Sequence, residues 1–171
     1  MFSLNTTATL HHVTHLPRSV SFATAVSHLH NHVLLIRLDP EYASHEDLPS
    51  DPSNPDAKCY RITDHMNALP AGLWDTTVKF DAHMTDLDDG VLWTIKAPLG
   101  LTQQTTWRCL KTEGLSEEDR EGAEGCEWSL VEDVEIRANR MLVGTVKAKC
   151  EENWPGAHGK FLKYCTGETA A

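Results

Sequence analysis

The stretch EWSLVEDVEIRA, Glu127 to Ala138, alternates apolar and polar residues almost without a break. A period of two gives one buried and one wetted face only in an extended strand, so this segment commits the chain to a sheet with a second layer over it. Trp128, Leu130, Val134 and Ile136 share the apolar side. Ser129, Asp133, Glu135 and Arg137 share the other, with Val131 among them. Glu132 breaks the pattern, because it stands in the apolar row. A buried, unpaired carboxylate is costly, so Glu132 needs a partner or a raised pKa. In an apolar pocket such a group is a candidate general acid or base, or an anchor for a polar ligand group. The plainer alternatives are a β-bulge that turns it outward and an ion pair with a basic residue of a facing element.

Other segments supply the partners for this strand. Thr6 to Leu16 reads as a strand closed by Pro17, and Phe22, Ala25, Val26, Leu29, Val33 and Ile36 then recur at helical spacing behind Ser19 or Ser21. EYASHEDLPSDPSNPD, residues 41–56, reads as a long ordered loop or short helical turns, because it is polar and rich in proline. KCYRITDHM, TTVKFDAHM, VLWTIKA and QQTTWRCL read as further strands, with DLDDG as a hairpin turn. After Asn139 the period is helical again through Leu142, Val146, Cys150, Trp154, Phe161 and Cys165, and Pro155 predicts a kink or restart. One helix, about five antiparallel strands after it and a terminal helix make an α+β layer architecture, one domain over residues 1–171.

Fifteen basic against twenty-five acidic residues give a net charge of −10. That balance argues against nucleic-acid phosphate as a partner. No run is long and apolar enough for stable membrane insertion, and the N-terminus has no secretory pattern. Five widely spaced cysteines without a CxxC pair read as reduced thiols. The expected location is the cytoplasm. The ten histidines, including HHVTH and the His28–His32 pair, lack the framework of a metal site. Phosphate-binding and dinucleotide glycine motifs and the nucleophile elbow are missing too, so no cofactor is expected.

The order of elements resembles the helix-grip fold of START-like and pollen-allergen-like proteins, which includes aromatic polyketide cyclases. The phrases LHNHVLLIRLDP, YRITDHMNALPAGLWDTTVKF and DGVLWTIKAPLG, with the distal helix around His158, resemble a family of small uncharacterised fungal proteins. These phrases specify fold and supply no catalytic residues to carry over. The helix-grip resemblance implies a curved antiparallel sheet around a long C-terminal helix, with an apolar cavity for a hydrophobic small molecule.

Within that expectation Glu132, Asp64 and His158 are the candidate catalytic residues. Asp64 shares a strand face with Tyr60 and Ile62 in CYRITDHM, although its place at the strand end favours a cap on the following HMNALPAG turn over a role in the cavity. His158 lies on the inner stripe of the last helix, one turn after Trp154; over a sheet carrying Glu132 it would form an acid–base pair. The expected lining is Tyr60, Ile62, Val78 and Phe80 from one strand pair. Trp93, Trp107, Trp128 and Val134 come from the others, and Val146 and Trp154 from the helix. Two function classes follow. One is a cofactor-free cyclase or isomerase, including a pericyclase, for a polyketide- or terpenoid-like metabolite of fungal secondary metabolism. The other is a passive carrier or sensor of a lipid-like molecule. Oligomeric state is not readable, nor is whether the 41–56 and 111–125 loops act as lids.

Overall fold

The structure is a computed structural model that describes residues 5–66 and 76–168. Its strands are β1 (Asn5–His15), β2 (Tyr42–Leu48), β3 (Lys58–Met66), β4 (Thr76–Leu87), β5 (Gly90–Lys96), β6 (Thr102–Lys111) and β7 (Trp128–Asn139). Its helices are α1 (Phe22–Leu29), α2 (His32–Ile36) and α3 (Arg140–Thr166). The strands form one antiparallel sheet in the order β1-β7-β6-β5-β4-β3-β2. From β2 to β7 each strand pairs antiparallel with the next in chain order, and β1 closes on β7 with His12 directly opposite Glu132. This is the sheet-and-helix arrangement that the helix-grip resemblance implied.

Three expectations change. Residues 42–48, read as loop, form the edge strand β2 against β3. An edge strand pairs on one side only and tolerates polar side chains on both faces, so it shows little alternation. The helix expected from Ser19 or Ser21 to Ile36 is two helices. The Ser21 side chain caps the first by accepting from the Thr24 amide, and the Asn31 side chain caps the second by accepting from Leu34. The long C-terminal helix runs on through Pro155. Proline removes the hydrogen bond to the carbonyl four residues back. Both Glu151 and Pro155 are exposed, where water can take that carbonyl.

One face of the sheet packs against the helices in two apolar clusters. The larger holds Leu16, Leu29, Val91, Cys109, Leu130 and Phe161. The smaller holds Leu10, Val134, Ile136, Ala138 and Val143 near the start of α3. Along β7 the boundary between them falls at Glu132. The acidic connection before β7 lies over the opposite face. His11 reaches Asp133 at 2.6 Å and Asp119 at 3.2 Å, while His15 Nε2 lies 3.0 Å from the Glu121 carbonyl oxygen. The 111–125 segment therefore covers the outer side of β1 and β7, away from α3.

Candidate functional site: a carboxylate between two histidines

Strand alternation carries Glu132 to the inner face together with Leu130 and Val134, and no bulge turns it away. It is buried, at 9% exposure. The antiparallel register places His12 of β1 on one side of it and Trp107 of β6 on the other. On α3, Glu151, Trp154 and His158 recur at the three- and four-residue spacing that aligns side chains on one helical face. They descend onto this row.

The resulting contacts converge on one oxygen. His12 Nδ1 lies 2.8 Å from Glu132 Oε2, and His158 Nε2 lies 3.2 Å from the same atom. The second contact has ion-pair distance without the alignment of a good hydrogen bond. His158 Nδ1 is 2.7 Å from Thr14 Oγ1, so that hydroxyl donates to a neutral ring or accepts from a protonated one. Trp154 stacks on His12 with centroids 4.5 Å apart, and the edges of Trp107 and Trp154 enclose His158. Burial alone would raise the Glu132 pKa. The close, charged His158 ring, the nearby Trp107 indole N–H and the hydrogen bond from His12 outweigh it, and hold the carboxyl below its usual range. A buried acid that stays ionised between two proton-carrying rings can accept a proton from one group and return it to another.

The predicted residues divide into separate groups. Glu132, His158, Trp107 and Trp154 meet. Tyr60 instead joins His32 on α2, 3.2 Å from its Nδ1, while Asp86 holds the other ring nitrogen at 2.8 Å. Ile62 is buried in the larger cluster, and Trp128 packs on Phe22 at 4.9 Å. Val134 and Val146 belong to the smaller cluster. Val78, Phe80 and Trp93 share the inner rows of β4 and β5 with Ile95, yet all four are only half-buried. Trp93 touches Trp107 at 5.7 Å between centroids, so this partly open apolar strip leads to the ring that faces His158.

Asp64 stands apart from Glu132 by four strand positions in the sheet. Its Oδ1 is buried without a hydrogen-bond partner. Burial first, then the charges of Asp39 and Glu41, push its carboxyl up to about 7, with His65 opposing. The turn proposed for it to cap continues at 67–72, outside the described residues. Sequence reading missed His12, Thr14 and Glu151. The alternation put His12 opposite His11 and His15, but its partner depended on a register with a strand far along the chain. Two hollows lie elsewhere among the described residues. One, of about 230 Å³, is bordered by Thr9, Gln104, Asp133 and Glu135; the other, of about 470 Å³, by Arg18, Gly125, Cys126 and Glu127. No group of three or more histidine, cysteine or acidic side chains is arranged to hold a metal ion among the described residues. No helix of the described residues is long and apolar enough to cross a membrane.

Solved structures share this architecture. The chain is similar to the Zhui aromatase/cyclase from Streptomyces sp. R1128, with a TM-score of 0.65 at 11% identity over 97% of this chain and 98% of that one. It is similar to norcoclaurine synthase from Thalictrum flavum, solved with dopamine and hydroxybenzaldehyde, with a TM-score of 0.57 at 11% identity over 98% and 90%. It is also similar to Ara h 8.0201, with a TM-score of 0.55 at 12% identity over 92% and 99%. At these identities the likeness is one of helix-grip fold. No curated protein matches the chain in sequence. Residues 5–166 match the family described as Domain of unknown function (DUF7053), and the chain belongs to that family.

Proposed function

We propose that the protein is a cofactor-independent cyclase or isomerase for an apolar polyketide- or terpenoid-like metabolite of fungal secondary metabolism, acting in the cytoplasm. The observation that carries this reading is the buried Glu132 carboxylate with His12 and His158 nitrogens at 2.8 and 3.2 Å. A flexible substrate lies along the half-buried Phe80, Trp93 and Ile95 and is held in a folded shape, which supplies much of the rate by orientation. A histidine N–H polarises a carbonyl oxygen of the substrate. The Glu132–histidine pair takes a proton from the adjacent carbon and returns it to the new oxygen or carbon, so protons balance within the turnover. Proteins of the same fold are described as an aromatase/cyclase and as norcoclaurine synthase, which supports chemistry on this scaffold.

One feature favours a carrier or sensor instead: His158 is 1% exposed and the chain's own rings already occupy Glu132 Oε2. Asp64, with its unpartnered oxygen, would then anchor a ligand hydroxyl. The experiment is incubation of purified protein with linear poly-β-ketone and terpenoid aldehyde precursors, followed by liquid chromatography and mass spectrometry. A cyclised or isomerised product supports the enzyme. A co-purified apolar ligand that stays unchanged, with every precursor also unchanged, supports the carrier and sinks the catalytic proposal.

A further inference from the structure

Both ring nitrogens of His12 end on carboxylates. Nδ1 is 2.8 Å from Glu132 Oε2, and Nε2 is 3.1 Å from Glu151 Oε2. An ionised carboxylate only accepts hydrogen bonds, so two bonds across this chain of three groups require two protons. A neutral ring brings one of them. The other sits on the second ring nitrogen or on a carboxyl group. The chain also runs from dry to wet: side-chain exposure is 11% at Glu132, 6% at His12 and 47% at Glu151. The Trp154 indole lies flat on the His12 ring, at 10° between planes, and an aromatic face favours a cation above it.

We propose that Glu132, His12 and Glu151 form a proton port, in which Glu151 is the positioning residue that connects the buried carboxylate to water. The idea rests on the acid–base role given to Glu132, but it concerns the protein without substrate. When Nδ1–H passes its proton to Glu132, Nε2 loses none. Nε2 instead takes up the proton that Glu151 has drawn from water, so the ring stays neutral; in the return direction Glu132 gives its proton back to Nδ1 while Nε2–H passes to Glu151 and thence to water. Each transfer moves one proton along one existing hydrogen bond, and no other reactant is needed.

The other groups facing this chain offer no equivalent exit. His158, on the far side of Glu132, is closed at Nδ1 by the Thr14 hydroxyl. Burial, then the charges of Glu132, Asp39 and Glu151, push the Cys150 thiol up to about 12, so it keeps its proton. Glu152 turns to Lys149 at 3.7 Å.

The test is nuclear magnetic resonance on protein carrying nitrogen-15 histidine, reading exchange of the His12 ring N–H proton with water. Glu151→Gln is expected to slow that exchange by about a hundredfold, the low end of what a positioned acid–base group contributes. Glu152→Gln should match the wild type, and Glu151→Asp should exchange faster than Glu151→Gln. Amide protection at Leu130 and Val134 reports that each variant is folded. Equal exchange in the wild type and a folded Glu151→Gln, or an aspartate variant as slow as the glutamine variant, overturns the port. No substrate is present, so a failure here leaves the catalytic proposal standing, and a lack of turnover leaves this result untouched.

Discussion

Glu132→Gln keeps the length of the side chain and one acceptor oxygen while removing the charge. A hydrogen bond to a charged group contributes about 1.5–3 kcal/mol, against about 0.5–1.5 kcal/mol for a neutral one. The 2.8 Å hydrogen bond with His12 therefore loses about 1 kcal/mol, and the 3.2 Å contact with His158 loses its ion-pair attraction, about 1 kcal/mol more. The new amide also brings donors to a site already facing histidine and indole N–H groups, which costs about 1 kcal/mol more. The sum, about 3 kcal/mol, meets the lower end of what breaking a buried ion pair costs. For a chain of this size it lowers Tm by roughly 6–12 °C. The pH dependence has a defined sign. The folded carboxyl is held below its usual range, so its stabilisation is present above the unfolded value of about 4.3 and is lost as pH falls through the folded pKa. Urea unfolding of both proteins, followed by tryptophan fluorescence from neutral pH into acid, should show a gap that closes on acidification. A gap below about 1 kcal/mol, the size of a surface pair, and constant with pH would refute the reasoning.

Asp64→Asn should act in the opposite direction. The folded Asp64 carboxyl is raised to about 7, so ionisation disfavours the fold as pH rises from the unfolded value of about 3.9 towards 7. The variant is expected to gain about 1–2 kcal/mol at pH 8 and little at pH 4 in paired urea titrations, a figure reduced for its partial exposure; equal stability at pH 8 would contradict it. Gly90→Ala should prevent folding or cost more than about 4 kcal/mol, because the added carbon overlaps the Trp107 carbonyl oxygen at the β5–β6 pairing. Native-like thermal unfolding of that variant would show the strands are not held so closely. The hydrogen bond to Asp133 leads the causes that raise the His11 pKa, helped by Asp119 and opposed by burial. Its hold on the acidic loop is complete below the unfolded value of about 6.5 and is lost as pH rises through the folded pKa. Hydrogen exchange at residues 117–121, corrected for intrinsic rates, should accelerate above that point, and Asp119→Asn should flatten the response.

Much of the sheet is written locally. The inner rows of β3 to β7 follow the alternation, and the turn at Asp88–Asp89 joins β4 to β5 with Leu87 opposite Gly90. Glu132 stood out because its neighbours two residues away, Leu130 and Val134, are apolar and buried. His158 followed from the helical stripe one turn beyond Trp154. His12 did not, because its role depends on which residue of β7 lies across from it, and nothing in HHVTH encodes that register. Glu151 was hidden for a related reason: it reads as an exposed helical acid, and only the docking of α3 brings it to the far nitrogen of His12. The edge strand β2 was missed because one-sided pairing lets Glu46 and Asp47 sit where a central strand would carry apolar residues. The break between α1 and α2 comes from the Asn31 cap, which ends one helical phase and begins another within an apolar pattern that looks continuous.

Binding and conversion of one linear precursor by the wild type and by folded Glu132→Gln test the central claim most directly. If the carboxylate between the histidines performs the chemistry, the variant binds the precursor with unchanged Kd while kcat falls by about 10²–10⁴-fold. Full turnover in Glu132→Gln, retained when Asp64→Asn is added, would contradict the acid–base account and leave the shape of the site as the whole of its catalytic contribution.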